Sequence, residues 1–240
     1  MKNKIKAEFH IHTKASKDSI LNKFWILIMC KIHNIRCVAI TDHNEIWYAK
    51  KNKTFFERKG IKVIIGEEIF TKDGEIIGLY LNENIRSGLS AEETIREIKK
   101  QNGLVYIPHP YDKKREKTVL KPDALKRNIK DVDFIECHNG RNIDEEFSNM
   151  QKKIAQKYNK IQIVGSDAHI FFELGRNYME LNSVEREKIA ECVKNGKMTK
   201  KKCIKFAHQW TKIVKMLKII KKGDFNEIFR IINKKCRRRN

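Results

Sequence analysis

Glu8-Phe9-His10-Ile11-His12-Thr13 closes the first apolar run of the chain, and Gly165-Ser166-Asp167-Ala168-His169 closes the seventh. Between them, Thr41-Asp42-His43-Asn44, Gly66-Glu67-Glu68 and Pro108-His109-Pro110 each stand at the end of another short apolar run. All five stretches offer His, Asp or Glu, the nitrogen and oxygen donors that divalent metals take. In a strand, residues i and i+2 share a face, so His10 with His12, and Asp167 with His169, can reach one ion. A single His-x-His is weak evidence, because one such pair is commonly a histidine with satisfied ring nitrogens. That explanation must be repeated for His10, His12, His43, His109 and His169. Donors at consecutive strand ends are what a barrel produces when it gathers a metal cluster at one mouth.

The rest of the chain is spaced to suit such a barrel. Strand-like runs fall at 5–12, 37–41, 62–68, 75–81, 104–108, 133–137 and 161–166, and helix-period segments at 19–33, 47–59, 90–101, 122–130 and 144–158 separate most of them. Ser90-Ala-Glu-Glu93 has capping-box spacing, and Gly60 and Gly103 stand where helix C-caps are wanted. The alternation predicts an α/β barrel of mainly parallel strands. One pair breaks it: Asp73-Gly74 signals a two-residue hairpin turn. With those two as the loop, Lys72 pairs with Glu75. Glu68 and Glu75 then share a face but stand about four residues apart along the ladder, roughly 13 Å.

In order and wording the motifs resemble the PHP (polymerase and histidinol phosphatase) family, over about residues 5 to 180. The resemblance implies a distorted (β/α)7 barrel, followed here by a C-terminal helical extension, with residues 1–182 as barrel and 183–240 as the extension. It further implies two or three divalent ions (Zn, Mn or Fe) and hydrolysis of phosphate esters by a metal-activated hydroxide. Carried over, His10, His12, Glu68 and Asp167 hold one ion, and Glu68 bridges to a second bound by Glu75 and His109. Asp18, His43 and His169 hold a third. Some relatives carry His where this chain has Glu75. Asp167 and His169 are also expected to act in catalysis, with His138 as a candidate general acid and Arg141 as a candidate phosphate ligand. Lys113, Lys114, Arg115 and Arg176 are further cations that could meet phosphate, Glu136 and Asn139 are candidates to line the pocket, and Asp42 is expected to orient a strand end.

Composition narrows the rest. The chain has 240 residues, enough for one barrel-sized domain. Its six cysteines show no paired spacing, which predicts reduced thiols and a cytoplasmic protein. The polar N-terminus reads as no signal peptide, and the apolar run 24–30 is far below the roughly 20 residues that span a bilayer. The net charge of +22 admits a basic surface for an anionic partner or a nucleotide bias that favours Lys codons. The segment 183–196 reads as a helix. A second, at 206–222, places Trp210, Ile213, Val214, Leu217 and Ile220 at helical spacing, suited to packing on the barrel or to resting on nucleic acid or an anionic membrane, and the basic run 234–239 could add phosphate contacts. The substrate expected is a small phosphate ester or a nucleotide. The alternatives are a nuclease trimming short nucleic acids, a nucleotide phosphatase, and a non-catalytic nucleic-acid-binding module.

Overall fold

The computed structural model describes residues 4–115 and 117–221. The basic run 234–239 lies outside them. All seven expected strands form: β1 (Ile5–Ile11), β2 (Ile35–Ile40), β3 (Lys62–Thr71), β4 (Gly74–Leu79), β5 (Leu104–Ile107), β6 (Phe134–Asn139) and β7 (Ile161–Gly165). Two further short strands, β8 (Tyr178–Leu181) and β9 (Lys197–Thr199), were not anticipated. They run in one sheet in the order β7-β6-β5-β4-β3-β2-β1-β8-β9. Parallel pairing holds for β1-β2-β3 and β5-β6-β7, whereas β4 is antiparallel to both its neighbours.

The sheet nearly closes. The first half of β1 pairs antiparallel with β8 (Ile5 opposite Leu181, Ala7 opposite Met179), but its last residue, Ile11, bridges to Ala168 just beyond β7. His12 N donates to Ala168 O at 2.9 Å. The barrel is therefore shut at the end where the motifs lie and splayed open at the other, where β8 inserts. The expected division at residue 182 falls between β8 and β9, which pair with each other.

Helices α1 (Lys23–His33), α2 (Trp47–Glu57), α3 (Ala91–Lys100), α4 (Pro122–Asn128) and α5 (Glu145–Lys157) surround the sheet. The capping box forms at α3, with Ser90 Oγ and Glu93 exchanging bonds. The helix expected over 183–196 shrinks to α6 (Ile189–Lys194), because the segment before it is turn and bend and Gly196 opens the way into β9. A further helix, α7 (Lys205–Lys221), follows. The expectation that its apolar stripe packs on the barrel is corrected. Val214 is buried, but Trp210, Ile213, Leu217 and Ile220 are exposed, and Ala207, Thr211 and Ile219 make the inner contact instead. No helix among the described residues is long and apolar enough to cross a membrane.

Candidate metal centre

Strand direction brings the donors together. His10 sits within β1 and His12 just past it, His43 lies beyond β2, His109 beyond β5, and Asp167 and His169 beyond β7, all toward C-terminal strand ends. Glu75 reaches the same mouth from the start of β4, because that strand runs antiparallel. The hairpin register differs from expectation. Phe70 pairs with Glu75 and Thr71 with Gly74, so the loop is Lys72-Asp73 and Glu68 stands two residues, not four, from the position opposite Glu75. That halves the separation to about 7 Å, a diagonal cross-strand pair. Gly74 is glycine for another reason than the turn. At φ +126° a Cβ there would lie 2.5 Å from Leu120 Cα and Val119 O, which cross over it.

Glu68 is the hub of the basin. Its carboxylate oxygens lie 3.1 Å from His109 Nε2, 3.1 Å from His43 Nδ1, 3.2 Å from His12 Nε2 and 3.4 Å from His10 Nε2. Glu75 approaches His109 Nε2 at 3.3 Å and His43 Nδ1 at 3.8 Å. Asp167 Oδ1 lies 3.7 Å from His10 Nε2, 3.5 Å from His12 Nε2 and 3.4 Å from His169 Nδ1. Asp18 reaches His169 Nε2 at 3.5 Å and His43 Nε2 at 3.9 Å. Three triads, His10-His12-Asp167, His43-Glu68-Glu75 and His12-His43-His169, each have donor atoms within 4.8 Å of one another. His109 and Asp167 carry φ of +30° and +52°, left-handed values that cost a side-chain residue of order 1–3 kcal/mol. The His109 amide offsets part of this by donating to Glu136 Oε2 at 2.6 Å.

Above the basin opens a cleft of about 940 Å³. Asp18, His43, Glu75, Asp167 and His169 form its floor, Phe70 stacks on the His43 ring at 5.0 Å, and its rim is cationic. Lys114, Arg115 and Lys117 come from the loop after β5, Arg141 from the end of β6, and Lys205, Lys212 and Lys215 from α7. Arg115 donates to Asp167 Oδ2 at 2.6 Å. Helix α7 is held over this end by Lys218 Nζ, which donates to the carbonyls of Lys14, Ser16 and Ser19 at 2.5–3.0 Å.

A family model described as PHP-associated matches residues 147–198. An uncharacterised protein of Methanocaldococcus jannaschii is 33% identical over 186 residues, which cover 77% of this chain and 73% of the relative. A provisionally assigned metal-dependent phosphoesterase from Bifidobacterium adolescentis shares the fold at a TM-score of 0.57 and 16% identity, over 68% of this chain and 87% of its own. The chain belongs to the PHP family. PsfC from Pseudomonas syringae has the same fold, with a TM-score of 0.65 at 15% identity over 89% of this PHP chain and 98% of its own.

The donor chemistry of this PHP basin fits divalent ions. Glu136 Oε1 lies 3.1 Å from His10 Nδ1, and Ser16 Oγ lies 3.2 Å from His12 Nδ1 while donating to Asp42. The Asp167 carbonyl lies 2.8 Å from His169 Nδ1. Each acceptor places the ring proton on Nδ1 and turns the Nε2 lone pair inward, as outer partners of metal-binding histidines do. The His10 and His12 Nε2 atoms face each other at 3.2 Å, a contact satisfied either by a proton held on His10 or by an ion beside both nitrogens. The distance is near the separation, about 3.3–3.4 Å, of two nitrogens on a tetrahedral ion at Zn–N of about 2.0–2.1 Å. Asp18 Oδ1 and His43 Nδ1 are buried and make no well-aligned hydrogen bond, although groups of opposite polarity lie 3.1–3.9 Å away.

Electrostatics point the same way. Burial opposes ionisation of Glu68, yet the His10 and His43 rings override it and hold the carboxyl well below its ordinary range. Burial opposes it at Asp167 too, where Arg115 and His10 win. Glu75, desolvated and beside Glu68, is pushed up to about 7, and His12, desolvated and beside His169 and His43, falls to about 3. Burial resists charge on His43, but the neighbouring Glu68 lifts it to about 9. Like-charged groups crowd here as they do around a site built for cations.

Other residues take supporting places. Asp42 accepts from Thr13 N, Thr13 Oγ1 and Ser16 Oγ at 2.5–2.6 Å, fixing the turn after β1. Asn139 Nδ2 donates to Glu136 at 2.9 Å and Asp167 at 3.3 Å. Tyr106, whose hydroxyl donates to Glu136, escaped the sequence reading, since a tyrosine inside an apolar strand looks like core. His138 faces away from the basin. Its ring meets Ser148 Oγ at 2.8 Å on α5 and the Lys201 carbonyl at 3.3 Å, so the expected general-acid role has no geometric basis. Arg141 lines the cleft, but its guanidinium is tied to Glu173 at 3.2 Å and to Thr211 of α7.

Substituting Glu136→Gln should therefore lower metal affinity about 10–100-fold, the usual cost of losing an outer partner. Activity should recover at higher metal concentration. A metal titration of turnover checks this, and an unchanged titration midpoint would count against the orienting role.

Proposed function

We propose that this protein is a metal-dependent hydrolase of phosphate esters. The convergence of imidazole and carboxylate donors on Glu68, beneath a cationic cleft, carries the reading. His10, His12, Glu68 and Asp167 would hold one ion, Glu68, Glu75 and His109 a second, and Asp18, His43 and His169 a third. Bound ions would neutralise the non-bridging phosphate oxygens and acidify the attacking water. The protein's own groups do the rest. Arg115 and Lys114 stand where a phosphate entering the cleft would meet them, and Arg115 can exchange its bond to Asp167 for one to substrate. Glu136 and Ser16 keep the protons of His10 and His12 on Nδ1. Phe70 covers one face of the His43 ring and shields it from water. The fold-family likeness supports this reading, as does the donor geometry. A second reading, a nuclease, is favoured by the breadth of the cationic rim, which exceeds what one phosphate requires.

The test is elemental analysis followed by turnover of a panel of phosphate mono- and diesters with Mn- or Zn-loaded protein. Two or three ions per chain are expected, and His10→Ala with His12→Ala should remove at least one. Fewer than one ion per chain, unchanged by reloading, would exclude the cluster.

A further inference from the structure

A second cavity, of about 310 Å³, opens beside the mouth. Lys14, Lys23 and Lys51 line it with Asn22, Asn52, Phe24, Trp47 and Tyr48, and no carboxylate is among the described residues that do so. Three features set it apart from ordinary surface.

First, it lies between two helix beginnings. Asn22, Lys23 and Phe24 open α1, and Trp47 and Tyr48 open α2, so both helix dipoles add positive potential to that of the lysines. Glu45, which accepts from the Trp47 amide at 3.1 Å, is not in the lining.

Second, Phe24 and Trp47 are 58% and 52% exposed, although neither serves the core. Each is propped edge-to-face by a neighbour, Phe24 by Phe55 at 6.0 Å and 82°, Trp47 by Tyr48 at 5.6 Å and 69°. They are exposed rings held in place.

Third, the cavity shares a segment with the metal basin. In the stretch between β1 and α1, Asp18 faces the cleft while Lys14 and Asn22 line the second cavity. A chain with one phosphate at the basin could lay its neighbouring residue here.

Aromatic faces for stacking, beside cations for a backbone, are the combination that holds single-stranded nucleic acid without regard to sequence. We propose that the Phe24–Trp47 cavity is a nucleobase subsite for a single-stranded nucleic acid whose phosphate backbone runs on to the metal basin. This rests on the phosphoesterase reading for the reaction at the basin, but the subsite binds independently of it.

The experiment compares a labelled oligothymidylate with an abasic oligomer of the same length, by fluorescence anisotropy on the full chain. Wild type should bind the oligothymidylate at least about tenfold more tightly than the abasic strand, as expected when a base stacks on an aromatic ring. Phe24→Leu with Trp47→Leu should remove that preference and leave abasic binding within about twofold. Lys23→Gln with Lys51→Gln should instead weaken both strands and lower the salt slope by about 1.4, the value for two phosphate contacts on a single strand. The protein has three tryptophans. In a Trp25→Phe, Trp210→Phe background, Trp47 is therefore the sole reporter, and its emission should be quenched by oligothymidylate but not by the abasic strand. This arm needs no change in the cavity.

Equal affinity of wild type for the two strands would overturn the subsite, and so would unquenched Trp47 emission. Loss of a dimer in the leucine variant, with oligonucleotide binding intact, would assign the rings to a second copy of the chain and also overturn it. Turnover of a small aryl phosphate should be the same in wild type and all these variants. If aryl phosphate is hydrolysed but base preference is absent, the subsite fails and the phosphoesterase reading stands. If base preference is present but no ester is hydrolysed, the reverse holds.

Discussion

Asp167→Asn should reduce phosphate ester turnover by roughly three orders of magnitude, about 4 kcal/mol of transition-state stabilisation. The substitution keeps the shape of the side chain and removes the charge that faces His10 Nε2, His12 Nε2 and His169 Nδ1 at 3.4–3.7 Å. It also releases Arg115. That side chain is about a fifth exposed and keeps its ion pair with Asp112 at 3.2 Å, so its charge is not left unpaired. The barrel should consequently stay folded, with the circular dichroism spectrum unchanged and the melting temperature within a few degrees of wild type. Steady-state kinetics at saturating Mn would show the loss in kcat. Comparable kcat in variant and wild type would remove Asp167 from the catalytic centre.

What the sequence disclosed here follows from periodicity and spacing. Seven short apolar runs, most of them separated by helix-period segments, specified the barrel strands because each is buried on the sheet, and five of them end in polar donors. His10, His12, Asp167 and His169 were legible because strand geometry places i and i+2 on one face. Where reading failed, a different physical cause governed. Asp73-Gly74 has the composition of a turn, yet Gly74 is glycine because Val119 and Leu120 cross it closely, a long-range contact that shifts the register and brings Glu75 to the metal basin. Strands β8 and β9 are four and three residues long, too short for an alternating pattern to register. On α7, helical spacing of Trp210, Ile213, Leu217 and Ile220 identified an amphipathic helix correctly, but spacing cannot say which face meets the barrel. The small residues Ala207 and Thr211 allow the closer approach, and Lys218 on three carbonyls sets the rotation. Arg115 was one cation among several in its loop, and only folding selects it by placing it on Asp167.

Glu68→Gln should have the larger effect on metal content. Among the described residues, Glu68 lies within 3.4 Å of four imidazoles, His10, His12, His43 and His109. A carboxylate so placed can neutralise part of two neighbouring dications, whereas its amide can neutralise neither. More than one ion per chain should therefore be lost, against one at most for Asp167→Asn, and the two variants differ by stoichiometry as well as by rate. Stability gives an independent readout. Ligand that binds only the folded state raises stability by RT ln(1 + [L]/Kd), about 2.7 kcal/mol at a hundredfold excess over Kd. Wild type should melt higher as Mn is added, and Glu68→Gln should melt at one temperature with or without metal. The metal-free variant should still fold, because losing the carboxylate lets His10 and His43, whose charge Glu68 favours, become neutral, so no unpaired charge is left buried. An undiminished metal-dependent rise in melting temperature for Glu68→Gln would show that the ions are held without it, and the bridging assignment would fall even if activity were lost.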